Sequence, residues 1–305
     1  MNLKYRISVF LSKSFKSFNL RKDGFFSNYI TYFLILIIGS NHPRRIKNIH
    51  KIINNIYLND YERIKNINFI CERKKYKIVN LFVGDSHAEF FGRTFFNTDS
   101  DKLFLTFHTG ATLLSEFGSS TYVINKIYKM INFLRSYCLR SHVKLNVIFC
   151  FGEIDVRTFF YQKIKIEKIY KNTSAYSNSL SKNFHKNFVN LRKNLIQKEI
   201  ANVNFYFNDI VPPSSKKYYL PENLKAIQKI RTFIQFPNFG TLKKRISYRK
   251  NLIQNMKIRL KNEQIKFLDL NKNEEKIIYL SRKNSIDGHH VTDFKLIKKI
   301  HKQIF

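Results

Sequence analysis

Two short stretches at opposite ends of one region carry the residue types that nucleophilic catalysis requires. The first, Gly84-Asp85-Ser86-His87, interrupts an apolar run. A serine on a tight turn between a strand and a helix projects its hydroxyl over the carboxyl edge of a sheet, where backbone amides can stabilise a developing oxyanion. The sequence also permits a simpler interpretation, in which Asp85 or Ser86 only caps the helix.

The second stretch lies near the C-terminus, where Asp287 precedes His290 by three residues. A carboxylate at this spacing can fix the tautomer of an imidazole and stabilise the imidazolium that forms when it takes a serine proton. We therefore predict Ser86 as the nucleophile, His290 as the base and Asp287 as its orienting group. The adjacent His289 is an alternative base.

The elements that must position these residues follow from five short apolar runs, rich in β-branched and aromatic residues. They are Ile78 to Val83, Leu103 to Phe107, Leu145 to Phe151, Val203 to Phe207 and Ile265 to Leu270. The long separators show helical periodicity, as in Tyr122, Ile127, Met130, Ile131 and Leu134. This pattern predicts an α/β protein, a three-layer α/β/α sandwich around a parallel sheet of about five strands. Ligands are expected where strands end and helices begin.

The quoted motifs carry a family resemblance. Gly84-Asp85-Ser86-His87 together with Asp287-x-x-His290 resembles the SGNH/GDSL hydrolase superfamily, in the GDSH variant of domains linked to polysaccharide O-acyl modification. The resemblance covers residues 78 to about 300 and implies a flavodoxin-like fold with a Ser, His and Asp triad. It also implies that the amides of Ser86 and Gly110 hold the oxyanion; a plain turn glycine is the alternative for Gly110.

The block after the third run departs from the family pattern. Family members carry Gly-x-Asn-Asp there, and the Asn completes the oxyanion hole, whereas this chain has Gly152-Glu153-Ile154-Asp155. Ile154 cannot donate a hydrogen bond, and loss of one oxyanion donor costs about 10²- to 10³-fold in rate. Either Arg157 or another donor substitutes, or the site binds without turnover. Glu153, Asp155 and Arg157 suit hydrogen bonding to sugar hydroxyls, and a structural ion pair is the alternative.

The resemblance implies a serine esterase or acyltransferase that acts on an O-acyl ester, on a carbohydrate of the cell envelope. The expected substrate is an acylated carbohydrate or another small ester, and the chemistry requires no metal and no organic cofactor. The alternative is a catalytically impaired protein of the same fold that binds glycan in polysaccharide biosynthesis.

The N-terminal part is predicted to differ from the rest, with residues 1–75 as a basic extension and residues 76–305 as the hydrolase-like domain. Its apolar run from Tyr29 to Gly39 is shorter than the ~20 residues of a spanning helix. It is either a buried helix or a membrane-associated segment, because basic residues flank it and residues 21–45 could contact a membrane surface. We expect a cytoplasmic protein, with membrane association left open.

The three cysteines, Cys71, Cys138 and Cys150, show no Cys-x-x-Cys spacing. An odd number of cysteines without that spacing favours neither a disulfide framework nor a zinc site. Cys150 lies in an apolar run, and we interpret it as a core residue.

Lys and Arg number 55 against 21 Asp and Glu, which gives a net charge of +34. The basic residues are dispersed, and Lys is overused together with Asn, Ile, Phe and Tyr, as AT-rich codons would produce. Specific nucleic-acid binding is therefore not favoured, although anionic surroundings are. We interpret the basic stretch from Lys216 to about Lys261 as helical with a solvated face; a lid and a surface for anionic partners are the alternatives.

Overall fold

The computed structural model describes most of the predicted α/β region. The described residues are 77–92, 102–109, 113–117, 121–196, 203–214, 238–270, 279–280, 291 and 294–304. The predicted basic extension, including the apolar run at 29–39, lies outside them.

Five parallel strands form the sheet at the centre of the described residues. They are β1 (Ile78–Gly84), β2 (Lys102–His108), β3 (Lys144–Cys150), β4 (Val203–Asn208) and β5 (Lys266–Leu268). Their order across the sheet is β2-β1-β3-β4-β5. This is the strand order of flavodoxin-like folds, so the predicted fold class is confirmed.

Helices cover both faces of this sheet. They are α1 (Ser86–Phe91), α2 (Leu114–Phe117), α3 (Thr121–Ser141), α4 (Thr173–Ile196), α5 (Leu242–Leu260) and α6 (Phe294–His301). Two π-helical segments, Asp155–Phe159 and Gln162–Ile166, precede α4, and a short 3-10 helix, Lys261–Glu263, follows α5. No helix among the described residues is long and apolar enough to cross a membrane.

The two faces of the sheet bury separate apolar cores. Along β1, Val79, Leu81 and Val83 point into the core beneath α3, α4 and α5, whereas Phe82 points into the core beneath α1 and α6. Because side chains alternate along a strand and both faces are covered, the strands read as nearly continuous apolar runs. The expectation for α3 was wrong at one position, since Tyr122 is 66% exposed while the other four predicted residues are buried.

A row of asparagines crosses the sheet on the α1 and α6 side. Asn146 Nδ2 donates to Asn80 Oδ1 at 2.8 Å, and Asn204 Nδ2 donates to Asn146 Oδ1 at 3.0 Å. The three residues are register partners on β1, β3 and β4. A slip of one residue would break both bonds and leave buried amides unpaired, so the row specifies strand register.

The end of α6 is joined to α1 by a buried histidine. His301 Nε2 donates to the carbonyl oxygen of Phe91 at 2.5 Å, and its ring stacks on Phe104 with 4.4 Å between centroids. Burial lowers the pKa of His301 to about 4, and the hydrogen bond to Phe91 opposes this only in part. The imidazole is therefore neutral in the folded protein at neutral pH.

His301 should make the folded protein sensitive to mild acid. Below the ordinary histidine pKa of 6.5 and down to about 4, the unfolded chain binds a proton that the folded chain does not. The free energy of unfolding should thus fall by up to about 3 kcal/mol over this window. Denaturant unfolding between pH 7 and pH 4 should show a weaker pH dependence in His301→Gln than in wild type. His142→Asn, at an exposed position, is the control, and equal slopes in wild type and His301→Gln would contradict the assignment.

Candidate active site

The candidate site lies at the carboxyl edge of β1, where close packing dictates a glycine. Gly84 is the register partner of both His108 and Cys150. A Cβ atom on Gly84 would lie 2.0 Å from the carbonyl oxygen of Cys150, which is too close for any side chain at this position. The Gly84 carbonyl also accepts two hydrogen bonds from Thr109, from its amide at 2.8 Å and its hydroxyl at 3.0 Å. The end of β1 is thus held tightly against both neighbouring strands.

Asp85 caps the helix that follows Gly84. Of the two capping residues that the sequence permits, Asp85 and Ser86, the structure therefore has Asp85. Asp85 Oδ1 accepts from the backbone N–H of His87 at 2.8 Å and lies 2.9 Å from His87 Nδ1. Ser86 occupies the first position of α1. Both Asp85 and His87 are buried, so this pair orders the turn that carries Ser86.

The block after β3 brings a second buried charge pair to the same edge. Glu153 Oε1 lies 2.9 Å from Arg157 Nε, and Glu153 Oε2 lies 3.9 Å from His87 Nε2. These side chains are between 4% and 11% exposed. Two of the predicted substrate-binding residues, Glu153 and Arg157, are therefore held together as an ion pair. The sequence analysis gave no role to His87, although its position two residues after a capping Asp is a local signal for the observed contact.

Asp155, the third predicted substrate-binding residue, is completely buried. Its Oδ2 accepts a hydrogen bond from the backbone N–H of Leu114 at 2.8 Å. Asp155 thereby ties the block after β3 to the first residue of α2, in the connection between β2 and α3. The same block is tied to the segment that leads into α5, because the carbonyl of Arg157 accepts from the Phe239 amide at 2.8 Å.

Ile154, at the position where the family pattern has Asn, is 4% exposed and belongs to the core beneath α3, α4 and α5. It is preceded by Gly152, which has a positive φ of 102°. At that φ only glycine is free of strain, so the chain can turn from β3 into the helical block. The buried Ile154 side chain therefore contributes to packing and offers no hydrogen-bond donor.

Arg245 on α5 is completely buried and was missed by the sequence analysis, which assigned this basic stretch a solvated face. Its guanidinium donates to the carbonyl oxygens of Gly240 at 2.7 Å and Ser214 at 2.9 Å. Burial lowers the pKa of Arg245, the nearby Glu153 carboxylate opposes that effect, and the Arg157 cation adds to it. The expectation of a solvated face holds for the lysines of α5, which are all exposed, and fails for Arg245, because seven basic residues lie on all sides of α5 and do not reveal which of them turn inward.

One turn further along α5, Arg249 forms a buried ion pair with Asp209. Its Nη2 donates to Asp209 Oδ2 at 2.8 Å, and its Nε donates to the carbonyl of Ile210 at 2.5 Å. Burial raises the pKa of Asp209 to about 6, and the Arg249 cation opposes this rise. Asp209 directly follows β4, so this pair fixes α5 to the same edge of the sheet.

Several predicted residues lie outside what the structure describes. These are Cys71, Gly110, Asp287, His289, His290 and the side chain of Ser86, together with residues 21–45 and 216–237. Cys138 and Cys150 are buried free thiols, which confirms Cys150 as a core residue. Within the described ranges, no group of three or more His, Cys, Asp and Glu side chains is arranged to hold a metal ion.

Comparison with known proteins adds no assignment to this geometry. No family model matches the chain, and no curated protein matches its sequence. The resemblance of the Gly84 to His87 turn to the SGNH/GDSL superfamily therefore stays a prediction. The turn and the buried charges beside it are the features from which a function can be inferred.

Replacing the carboxylate of Glu153 should destabilise the protein strongly. Glu153→Gln leaves the buried Arg157 and Arg245 cations without their nearest counter-charge, and breaking a buried pair costs about 3–5 kcal/mol. Glu263→Gln is the matched control, because Glu263 pairs with His185 and Arg192 at a half-exposed site. Such pairs contribute about 1 kcal/mol or less. Urea unfolding at pH 7 measures both variants, and equal losses would contradict the importance of Glu153.

Proposed function

We propose that the protein is a serine ester hydrolase or acyltransferase of the SGNH type, acting on an O-acyl ester of a cell-envelope carbohydrate. The observation that carries the proposal is the placement of Ser86. It is the first residue of α1, separated only by Asp85 from the inner strand β1, at the carboxyl edge of the sheet. Parallel α/β sheets bind their ligands at this edge.

The proposed chemistry is a two-step acyl transfer. The Ser86 hydroxyl attacks the acyl carbonyl while His290 takes its proton, and Asp287 orients His290. The backbone amides of Ser86 and Gly110 hold the oxyanion of the tetrahedral intermediate. His290 then returns the proton to the leaving alcohol, and the acyl group passes from the serine to water or to another sugar hydroxyl.

The buried charges support this proposal by giving the turn a fixed shape. Asp85 ties the turn to His87, and Glu153 lies between His87 and Arg157. We propose that Arg157 supplies the oxyanion donor that Ile154 cannot provide. The Glu153 carboxylate would hold the guanidinium in place for that task, since a charge-assisted pair is stronger than one between neutral groups.

A second candidate is a glycan-binding protein that has the fold without the turnover. The burial of Ile154 in the core favours it, because that position offers no donor to an oxyanion. The two candidates differ in a single measurable property. The enzyme releases acyl groups from an acylated sugar, whereas the binding protein retains the sugar and leaves the ester intact.

A fluorophosphonate probe tests the nucleophile. Wild-type protein should be labelled covalently, and Ser86→Ala should lose the label because the attacking oxygen is gone. Ser174→Ala is a matched control, since Ser174 is an exposed serine on α4. Mass spectrometry of the intact protein measures the added group. Equal labelling of wild type and Ser86→Ala would show that Ser86 is not the nucleophile.

Arg157→Lys tests the proposed donor. Lysine keeps the positive charge beside Glu153 but lacks the planar guanidinium, so kcat for acetate release from acetylated xylan should fall about 10²-fold with KM nearly unchanged. Arg192→Lys, on α4, should leave both constants as in wild type. An unchanged kcat in Arg157→Lys would exclude this role. Absence of acetate release from the wild type, with retained binding to the xylan, would favour the second candidate.

A further inference from the structure

The helical layer formed by α3, α4 and α5 contains no acidic residue. The three helices span 21, 24 and 19 residues and carry four, four and seven Lys or Arg residues. At the chain average of 21 acidic residues in 305, these 64 residues would contain about four. The composition of the chain therefore does not explain the full positive charge of this layer. That charge comes from the absence of acidic residues in the three helices as well as from their lysines and arginines.

The lysines of α4 lie on the side that faces away from the sheet. Lys182, Lys186 and Lys193 are exposed, and at about 100° per residue they fall within about 40° of one another around the helix. On α5, Lys243 and Lys250 are exposed and seven residues apart, which places them within about 20° of each other. Each helix thus presents a stripe of ammonium groups to solvent.

The two stripes belong to one continuous surface, because α4 and α5 run parallel and in fixed register. Three side-chain contacts join positions that are all 78 residues apart: Ser177 with Asn255 at 2.8 Å, Ser181 with Arg259 at 3.0 Å and His185 with Glu263, in the 3-10 helix that follows α5, at 2.9 Å. A constant separation between two helices means that they stay side by side along their length. We call the solvent-facing side of α3, α4 and α5 the basic outer face.

Large apolar side chains are exposed on the basic outer face, among the lysines. Tyr122 and Leu139 on α3 are 66% and 45% exposed, and Ile258 on α5 is 63% exposed. In contrast, every aromatic residue of α4 and α5 is buried, so these two helices present no ring on which a nucleic-acid base could stack. The face combines cations with insertable apolar groups.

We propose that the basic outer face binds the surface of an anionic lipid bilayer. Three packed helices at 8–10 Å spacing make a face about 20 Å wide, which suits a plane better than a single polymer strand. Lysines near anionic headgroups are attracted electrostatically, and Tyr122, Leu139 and Ile258 enter the interface between headgroups. This binding mode is peripheral, and it does not depend on the proposed enzymatic function.

The helices that cross over between parallel strands run antiparallel to them, so α5 begins at the carboxyl edge of the sheet and ends at the opposite edge. Lys243, in the first turn of α5, is two residues from Arg245. Burial lowers the pKa of Arg245 and the Glu153 carboxylate of the candidate site raises it, so Glu153 is electrostatically coupled to this turn. A bilayer on the basic outer face would therefore lie beside the candidate site and leave the carboxyl edge uncovered.

Co-sedimentation of the full-length chain with vesicles tests the proposal. Wild type should bind vesicles of phosphatidylglycerol mixed with phosphatidylcholine, bind pure phosphatidylcholine far less, and lose binding as salt is raised. A variant with Lys182, Lys186, Lys193 and Lys250 changed to Gln should bind the anionic vesicles at least about tenfold more weakly. The matched control changes Lys144, Lys266, Lys298 and Lys302 to Gln, removing the same charge from the strand starts and the opposite layer. It should bind within about twofold of wild type.

The apolar residues separate a bilayer from a soluble polyanion. The double variant Leu139→Gln, Ile258→Gln should weaken vesicle binding several-fold while leaving retention on polygalacturonate or on single-stranded oligothymidine unchanged. Equal vesicle binding by the two lysine variants would overturn the proposal. Wild-type binding that is tighter to polygalacturonate or oligothymidine than to anionic vesicles would overturn it as well. Circular dichroism verifies that each variant is folded.

Discussion

The carboxylate of Glu153 is the charge on which the arrangement at the carboxyl edge of the sheet depends. It contacts Arg157, lies 3.9 Å from His87, and raises the pKa of Arg245 of α5, against the lowering by burial. These three side chains come from three different parts of the fold: the turn after β1, the block after β3 and the helix before β5. A buried carboxylate must be paired or hydrogen-bonded, so Glu153 favours the convergence of these segments around it.

The two buried arginines of α5 bind further segments at the same edge of the sheet. Arg245 binds the carbonyls of Ser214 and Gly240, and Arg249 binds Asp209 and the carbonyl of Ile210. Both arginines use planar guanidinium groups, whose N–H donors are spread over a plane, to reach buried acceptors on separate segments of the chain. The chain leaving β4 is thereby fastened to α5.

The large positive charge of the chain thus has two distinct uses. Buried arginines satisfy carbonyls and carboxylates near the carboxyl edge, where Asp85, Glu153, Asp155 and Asp209 also lie. Exposed lysines lie on α3, α4 and α5, whose own residues include no acid. The separation of acids at the edge from cations on the outer face gives the molecule a polarity that its net charge of +34 does not convey.

The sequence alone determined the features that depend on local chemistry. Apolar runs bounded by polar residues located all five strands, and Gly84 marked the turn that leads to Ser86, because strand burial and turn geometry leave their signature in neighbouring residues. Asp85 was one of two capping candidates in the sequence, and its contact with His87 is local. Tertiary structure alone decided that His87 lies near Glu153 and that Arg245 and Arg249 point inward. These outcomes depend on which distant segments share a buried space, and a helix with basic residues on every side does not show which of them will face it.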